Sequence, residues 1–90
     1  METIRLNRSF TNVIMTRDSV EEFFDSLADF VDNNLIFDFS GIEFISRSAA
    51  HEYIKQKAAC SKRIRETNMV RDIKAMFLLV AKQLKKTISV

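Results

Sequence analysis

The chain has 90 residues, with no proline, no tryptophan and one each of glycine, cysteine, histidine and tyrosine. Without proline there is no rigid turn and no imide bond to isomerise slowly. A single glycine, Gly41, cannot build a glycine-rich phosphate loop, which excludes P-loop and dinucleotide-fingerprint nucleotide binding. A lone Cys60 cannot form an internal disulfide, so a reducing, cytoplasmic setting is expected. One histidine, His51, with no second ligand at metal spacing, argues against zinc, and no cofactor is expected. No apolar run approaches the roughly 20 residues that cross a bilayer, so no membrane role is expected. The N-terminus lacks the basic and apolar regions of a secretory signal.

What is present is a globular composition, 47% apolar with eight phenylalanines, sized for one domain over residues 1–90. The net charge of +2 hides a strong asymmetry. Residues 1–54 carry ten acids against four bases, and residues 55–90 carry ten bases against two acids. That polarity fits either a nucleic-acid face or one half contacting the other, within the chain or across a dimer.

Ile4 and Leu6 alternate with polar neighbours as in a short strand, and residues 10–15 suggest a second. Residues 18–32 read as a helix, capped by Ser19 with Glu22 and striped by Val20, Phe23, Phe24, Leu27, Phe30 and Val31. Asn33 and Asn34 read as its left-handed stop. Residues 35–39, nearly all apolar, predict a central strand covered on both faces, ending at Asp38 and turning at Ser40-Gly41. Ser46, Arg47 and Ser48 open a second helix whose inner stripe runs from Ala50 through Tyr53, Ile54, Lys57 and Ala58 to Ser61 and Ile64. A third helix spans about residues 70–85. Its apolar arc is wider than one packing face requires, so a homodimer is expected through Met69, Met76, Phe77, Leu79 and Val80. Residues 63–67 read as a poor strand.

The order strand, helix, strand, Ser-Gly turn, helix, helix resembles the STAS superfamily of sulfate-transporter and anti-sigma-factor-antagonist domains. The run Asp38-Phe39-Ser40-Gly41-Ile42-Glu43-Phe44-Ile45-Ser46 carries the likeness. The nearest likeness is to the short STAS-like branch, whose pattern covers most of the chain but is distinctive only over residues 36–50. The resemblance implies an α/β fold, here a truncated, mixed sheet of three to four strands packed by three helices. It implies a non-enzymatic regulatory module that binds another protein, an anti-sigma or histidine-kinase-like ATPase regulator being the partner type. It also implies that Ser46, Arg47, Ser48 and Glu43 mark the interface. Two departures matter: Arg47 occupies the position of the phospho-accepting serine and Ser46 that of the aspartate before it, so a phosphoserine switch there is in doubt, and residues 58–69 leave little room for the strand that such chains place between their last two helices.

Each candidate also has an ordinary structural reading. Ser46 or Ser48 suits an N-cap, and an exposed helix start also suits an anion or a partner carboxylate. Asp38 suits a bond to its own turn better than a tuned site. His51 and Cys60 fit as ordinary packing residues, and no cluster has the geometry of a catalytic set. The rival function is nucleic-acid binding through residues 55–86, although the aromatic interleaving that single strands favour is missing.

Overall fold

The structure, a computed structural model, describes residues 1–88, and their side chains through residue 84. The architecture is α/β. Strands β1 (Glu2–Arg5), β3 (Asn34–Asp38) and β5 (Arg63–Thr67) form one sheet in the order β1-β3-β5. Strands β2 (Val13–Ile14) and β4 (Phe44–Ile45) form a separate pair. Helices α1 (Leu6–Ser9), α2 (Arg17–Ser26), α3 (Arg47–Ala59) and α4 (Arg71–Ile88) connect and follow them.

The expected sheet of three to four strands is present with three, but it is not mixed: every pairing is parallel. The reason lies in the connections. A parallel neighbour needs a crossover, and each interval between β1, β3 and β5 contains a helix that supplies one. α1 is a fourth helix, a single turn that buries Leu6.

The register places Ile4, Phe37 and Glu66 in one row, with Leu35 beside Ile64. This face carries the core. Leu35, Phe37 and Phe39 are buried, and the Phe37 ring lies 5.1 Å from Phe23 of α2 and 6.3 Å from Tyr53 of α3. Crossovers of one hand, stepping in one direction, leave both helices on the same side of a sheet. The other face therefore has no helix. Thr3, Arg5, Asn34, Arg63, Arg65 and Thr67 stand exposed on it, and Ile36 at its centre is half-buried. The expectation that β3 is covered on both faces is thus corrected. Its apolar run reflects one deep face and one partly shielded isoleucine.

β5 corrects a second expectation. Arg63-Ile64-Arg65-Glu66-Thr67 lacks strand propensity, yet it pairs with β3 over its whole length. Its alternation is genuine: Ile64 and Glu66 turn to the helices, and the two arginines turn to water. α3 stops at Ala59 and Cys60 is already extended, so Ser61 and Ile64 do not continue the α3 stripe.

α2 starts earlier than its apparent capping box. Thr16 is the N-cap, its Oγ1 accepting from the Ser19 amide at 3.2 Å, while the Ser19 hydroxyl donates to the Thr16 carbonyl. Thr16 has the extended backbone a cap requires, so Ser19 lies inside the first turn. The helix also ends early. After a 3₁₀ turn at Leu27–Asp29 the chain extends, leaving Val31 98% exposed. Lys62 holds this exit, donating to the carbonyls of Phe30 and Asp32 at 2.8 and 2.9 Å. Asp32 also pairs with the Met1 amine at 2.6 Å. Neither Asn33 nor Asn34 is left-handed; positive φ occurs only at Gly41 (82°) and Asn68 (58°) among the described residues.

α4 runs from Arg71 to Ile88, with Ile73 and Val80 on its innermost line. Val80 is fully buried, so it is not available to a dimer interface as expected. Met69, Met76 and Phe77 are half-buried against the same core, the Phe77 ring 4.8 Å from Tyr53. Of the five residues expected at the interface, only Leu79 is exposed, and Leu78, at 66%, is more so. Part of the wide arc is consumed within the chain, because α4 packs on α3 and Phe77 meets Phe39, while Leu78 and Leu79 stay exposed.

Candidate binding site at the start of α3

The parallel strands end together, and the chain from β3 to α3 passes across that end. Asp38 closes β3. Its Oδ1 accepts from the Asn68 side-chain amide at 3.0 Å and from the Ser40 amide at 2.9 Å. The Asn68 bond first, then the bonds from Ser40, hold its carboxyl below the usual carboxylate range, and Arg5 on the adjacent strand adds to this. The structural reading of Asp38, a turn acceptor, is what the geometry shows, with Asn68 as an added partner.

The turn then reverses at Gly41, where the Ile42 amide donates to the Phe39 carbonyl at 2.9 Å. Glu43 is tied twice to Asn12. Its amide donates to the Asn12 carbonyl at 2.7 Å, and its Oε2 accepts from the Asn12 side chain at 3.0 Å. β4 then lies along β2, Phe44 opposite Val13 and Ile45 opposite Ile14. The inner member of each strand, Ile14 or Ile45, is buried.

Ser46 is the N-cap of α3. Its hydroxyl accepts from the Ala49 amide at 3.1 Å and donates to the Met15 carbonyl at 2.7 Å. The Ser48 hydroxyl is 3.3 Å away. Ser46 thus clamps the end of β2 to the start of α3, and its donor is already engaged. Arg47 and Ser48 are exposed on the first turn. Ser46, Arg47 and Ser48 stand together at the start of α3, and Glu43, bonded to Asn12, lies at the other end of β4. Asp38 belongs to a separate network with Asn68, Ser40 and Arg5.

Two further exposed residues carry no sequence signal. Phe44 and Met15 are 46% and 52% exposed, on the outer face of the β2–β4 pair and its continuation. Period-2 spacing puts Met15 on the side of Val13, which faces Phe44. Within an apolar run, nothing marks Phe44 as the residue that points out. Phe44 and Met15 thus give exposed apolar surface next to the start of α3, to which Met15 is tied through the Ser46 hydroxyl.

On the other side of α3, the Tyr53 hydroxyl donates to Glu66 Oε2 at 2.7 Å, and Lys57 Nζ bonds both Glu66 oxygens at 2.9 and 2.8 Å. Burial, then the charge of Glu66 and the bond to it, push the phenol well above its ordinary value. A raised folded-state pKa gives a contribution fully present below the unfolded tyrosine value of about 10 and lost as pH rises beyond it. The midpoint of urea unfolding is therefore expected to fall more steeply above pH 10 than in Tyr53→Phe. Phenolate absorbance follows the same group directly, because Tyr53 is the only tyrosine.

Among the described residues no group of histidine, cysteine, aspartate and glutamate could hold a metal ion. His51 is half-buried with Nδ1 unpartnered, and Cys60 is a half-buried free thiol. Among those residues no helix is long and apolar enough to cross a membrane. No family model, curated protein or solved structure matches the chain.

Proposed function

We propose that this chain is a non-enzymatic regulatory module of STAS-like type, which works by docking another protein on the β4–α3 surface. The observation that carries the reading is the exposed apolar surface of Phe44 and Met15 next to the start of α3. Apolar anchors rimmed by charge are how protein interfaces are built. Arg47 supplies a guanidinium for a partner carboxylate, and Glu43, braced by Asn12, supplies the opposite charge. The partner type is an anti-sigma or histidine-kinase-like ATPase regulator, in a cytoplasmic setting, as the STAS-like resemblance implies. With arginine at the customary phosphoserine position, control is by partner availability rather than by a phosphate there.

The test is affinity capture from the native host with wild-type protein, Phe44→Asp and Arg47→Glu. Phe44 and Arg47 are both exposed, and circular dichroism melts matching wild type are the check that both variants fold. A partner held by wild type is expected to bind Phe44→Asp at least thirtyfold more weakly, the loss of one hot-spot anchor worth about 2 kcal/mol. Equal recovery by all three proteins moves the interface elsewhere.

The alternative is nucleic-acid binding through residues 55–86. In its favour, Arg63 and Arg65 are exposed together on the open sheet face. Against it, Lys57 is committed to Glu66 and Lys62 to two carbonyls, while Lys74 and Lys82 lie on a different element. Retention on DNA or RNA that falls steeply with salt would favour it.

A further inference from the structure

The geometry points to a second docking site: the outer edge of β5 takes an extended segment of a partner protein as a fourth strand, with side chains alternating apolar and acidic. Three independent features meet at this edge, and the site lies apart from the α3 start.

The first is unpaired backbone. β5 is the last strand of its sheet. The Arg63 amide donates to the Asn33 carbonyl, and the Thr67 carbonyl accepts from Phe39. The peptide groups of Arg63, Arg65 and Thr67 thus face β3, and those of Ile64 and Glu66 face outward. Among the described residues these outward groups have no backbone partner. An edge of this length is a template for strand addition.

The second is a groove of about 590 Å³ beside that edge, between α3 and α4. Seven of its ten lining residues are apolar or aromatic, Ile54, Met69, Phe77 and Leu78 among them, and Lys57, Lys74 and Glu66 of β5 complete its wall. Three helices lie side by side in the order α2, α3, α4 over a sheet that stops at β5. A strand added there sends every second side chain into the groove, which demands apolar residues.

The third is charge. The intervening side chains of the added strand emerge on the open face beside Arg63 and Arg65, both exposed. The only carboxylate of the sheet on that face, Asp38, is held by Asn68 and Ser40. Acidic residues at those positions complete the match.

The same charges disfavour a second copy of this chain. β5 paired antiparallel with itself about its centre sets Arg65 against its own counterpart, and β1 laid on β5 brings Arg5 to the Arg63–Arg65 row. A nucleic acid has no use for the groove, and the open face has no aromatic ring to stack a base.

The probe is a synthetic peptide, acetyl-Glu-Ile-Glu-Ile-Glu-Ile-Glu-amide, titrated into the full-length isotope-labelled protein. Saturable binding is expected below about 100 µM, with amide exchange at Ile64 and Glu66 slowed at least tenfold. Arg65→Glu is expected to bind at least tenfold more weakly, and a peptide with lysine in place of glutamate is expected to restore its binding. Methylation of alternate peptide nitrogens is expected to abolish binding, because it removes the ladder while keeping the side chains. Binding without protection of those two amides overturns the proposal, as does indifference to Arg65, or no binding at about 1 mM. Protection of the same amides in the free protein, rising with its concentration, assigns the edge to a second copy instead. A single-stranded oligonucleotide that binds through Arg63 and Arg65 while the peptide does not overturns it in favour of nucleic acid.

Discussion

Phe37→Ala is expected to lower stability by about 3–5 kcal/mol, the range for removing a fully buried phenylalanine. Phe37 has no exposed surface and sits mid-strand in β3, with β1 and β5 on either side. Its ring meets Phe23 at 5.1 Å, Phe24 at 6.0 Å and Tyr53 at 6.3 Å, all near edge-to-face. Each such pair is worth about 0.5–1.5 kcal/mol beyond area burial. The cavity cannot collapse easily, because its walls come from a strand and from two helices already packed on each other. A domain of this size has about 5–13 kcal/mol in total. The substitution therefore removes a large share, and the thermal midpoint should fall by about 15–30 °C. Circular dichroism melts of wild type and Phe37→Ala decide this. A drop of only a few degrees would mean that the aromatic cluster does not hold the helix layer to the sheet.

Gly41→Val is expected to cost about 3 kcal/mol, the upper end for a non-glycine residue held in a sparsely populated backbone region. Gly41 has φ of 82°, which a β-branched residue tolerates poorly. Space is also short: a Cβ there would lie 3.2 Å from the Asn7 side-chain nitrogen. Asn7 is exposed and can swing aside, so backbone strain is the larger part. The damage should be directional. The turn fixes how β4 leaves β3, and β4 fixes the α3 start through the Ser46 clamp. Gly41→Asn, which accepts left-handed backbone more readily, should recover part of the loss. Equal melting of the valine, asparagine and wild-type proteins would show that the turn adapts freely.

The elements legible in the sequence are those whose cause is local. β3 shows as an apolar run, the α3 cap as a serine before a helical stripe, the turn as the only glycine, and α4 as a sustained 3.6-residue period. What was hidden depends on distant partners. β5 reads as a poor strand because its arginines face an uncovered side of the sheet, and only the ladder from β3 makes it a full one. The parallel sense of the sheet is set by crossovers, not by residue preference. Val80 and Leu78 look alike by hydrophobicity, and only the rotation of α4 against α3 makes one core and the other surface. Phe44 is invisible as an anchor because its outward aim comes from a two-residue pairing with β2. The candidate site was therefore visible in its polar half and hidden in its apolar half.

The all-parallel ladder also governs how fast the chain can find its fold. Glu2 pairs with Leu35, and Leu35 with Ile64, so the partners lie 33 and 29 positions apart in the chain. Each closure costs about 3 kcal/mol of chain entropy before any contact repays it. No hairpin is available to nucleate the sheet from neighbouring residues. Assembly must therefore wait for α2 and α3 to form and draw their flanking strands together, which places this chain among the slower folders of its length.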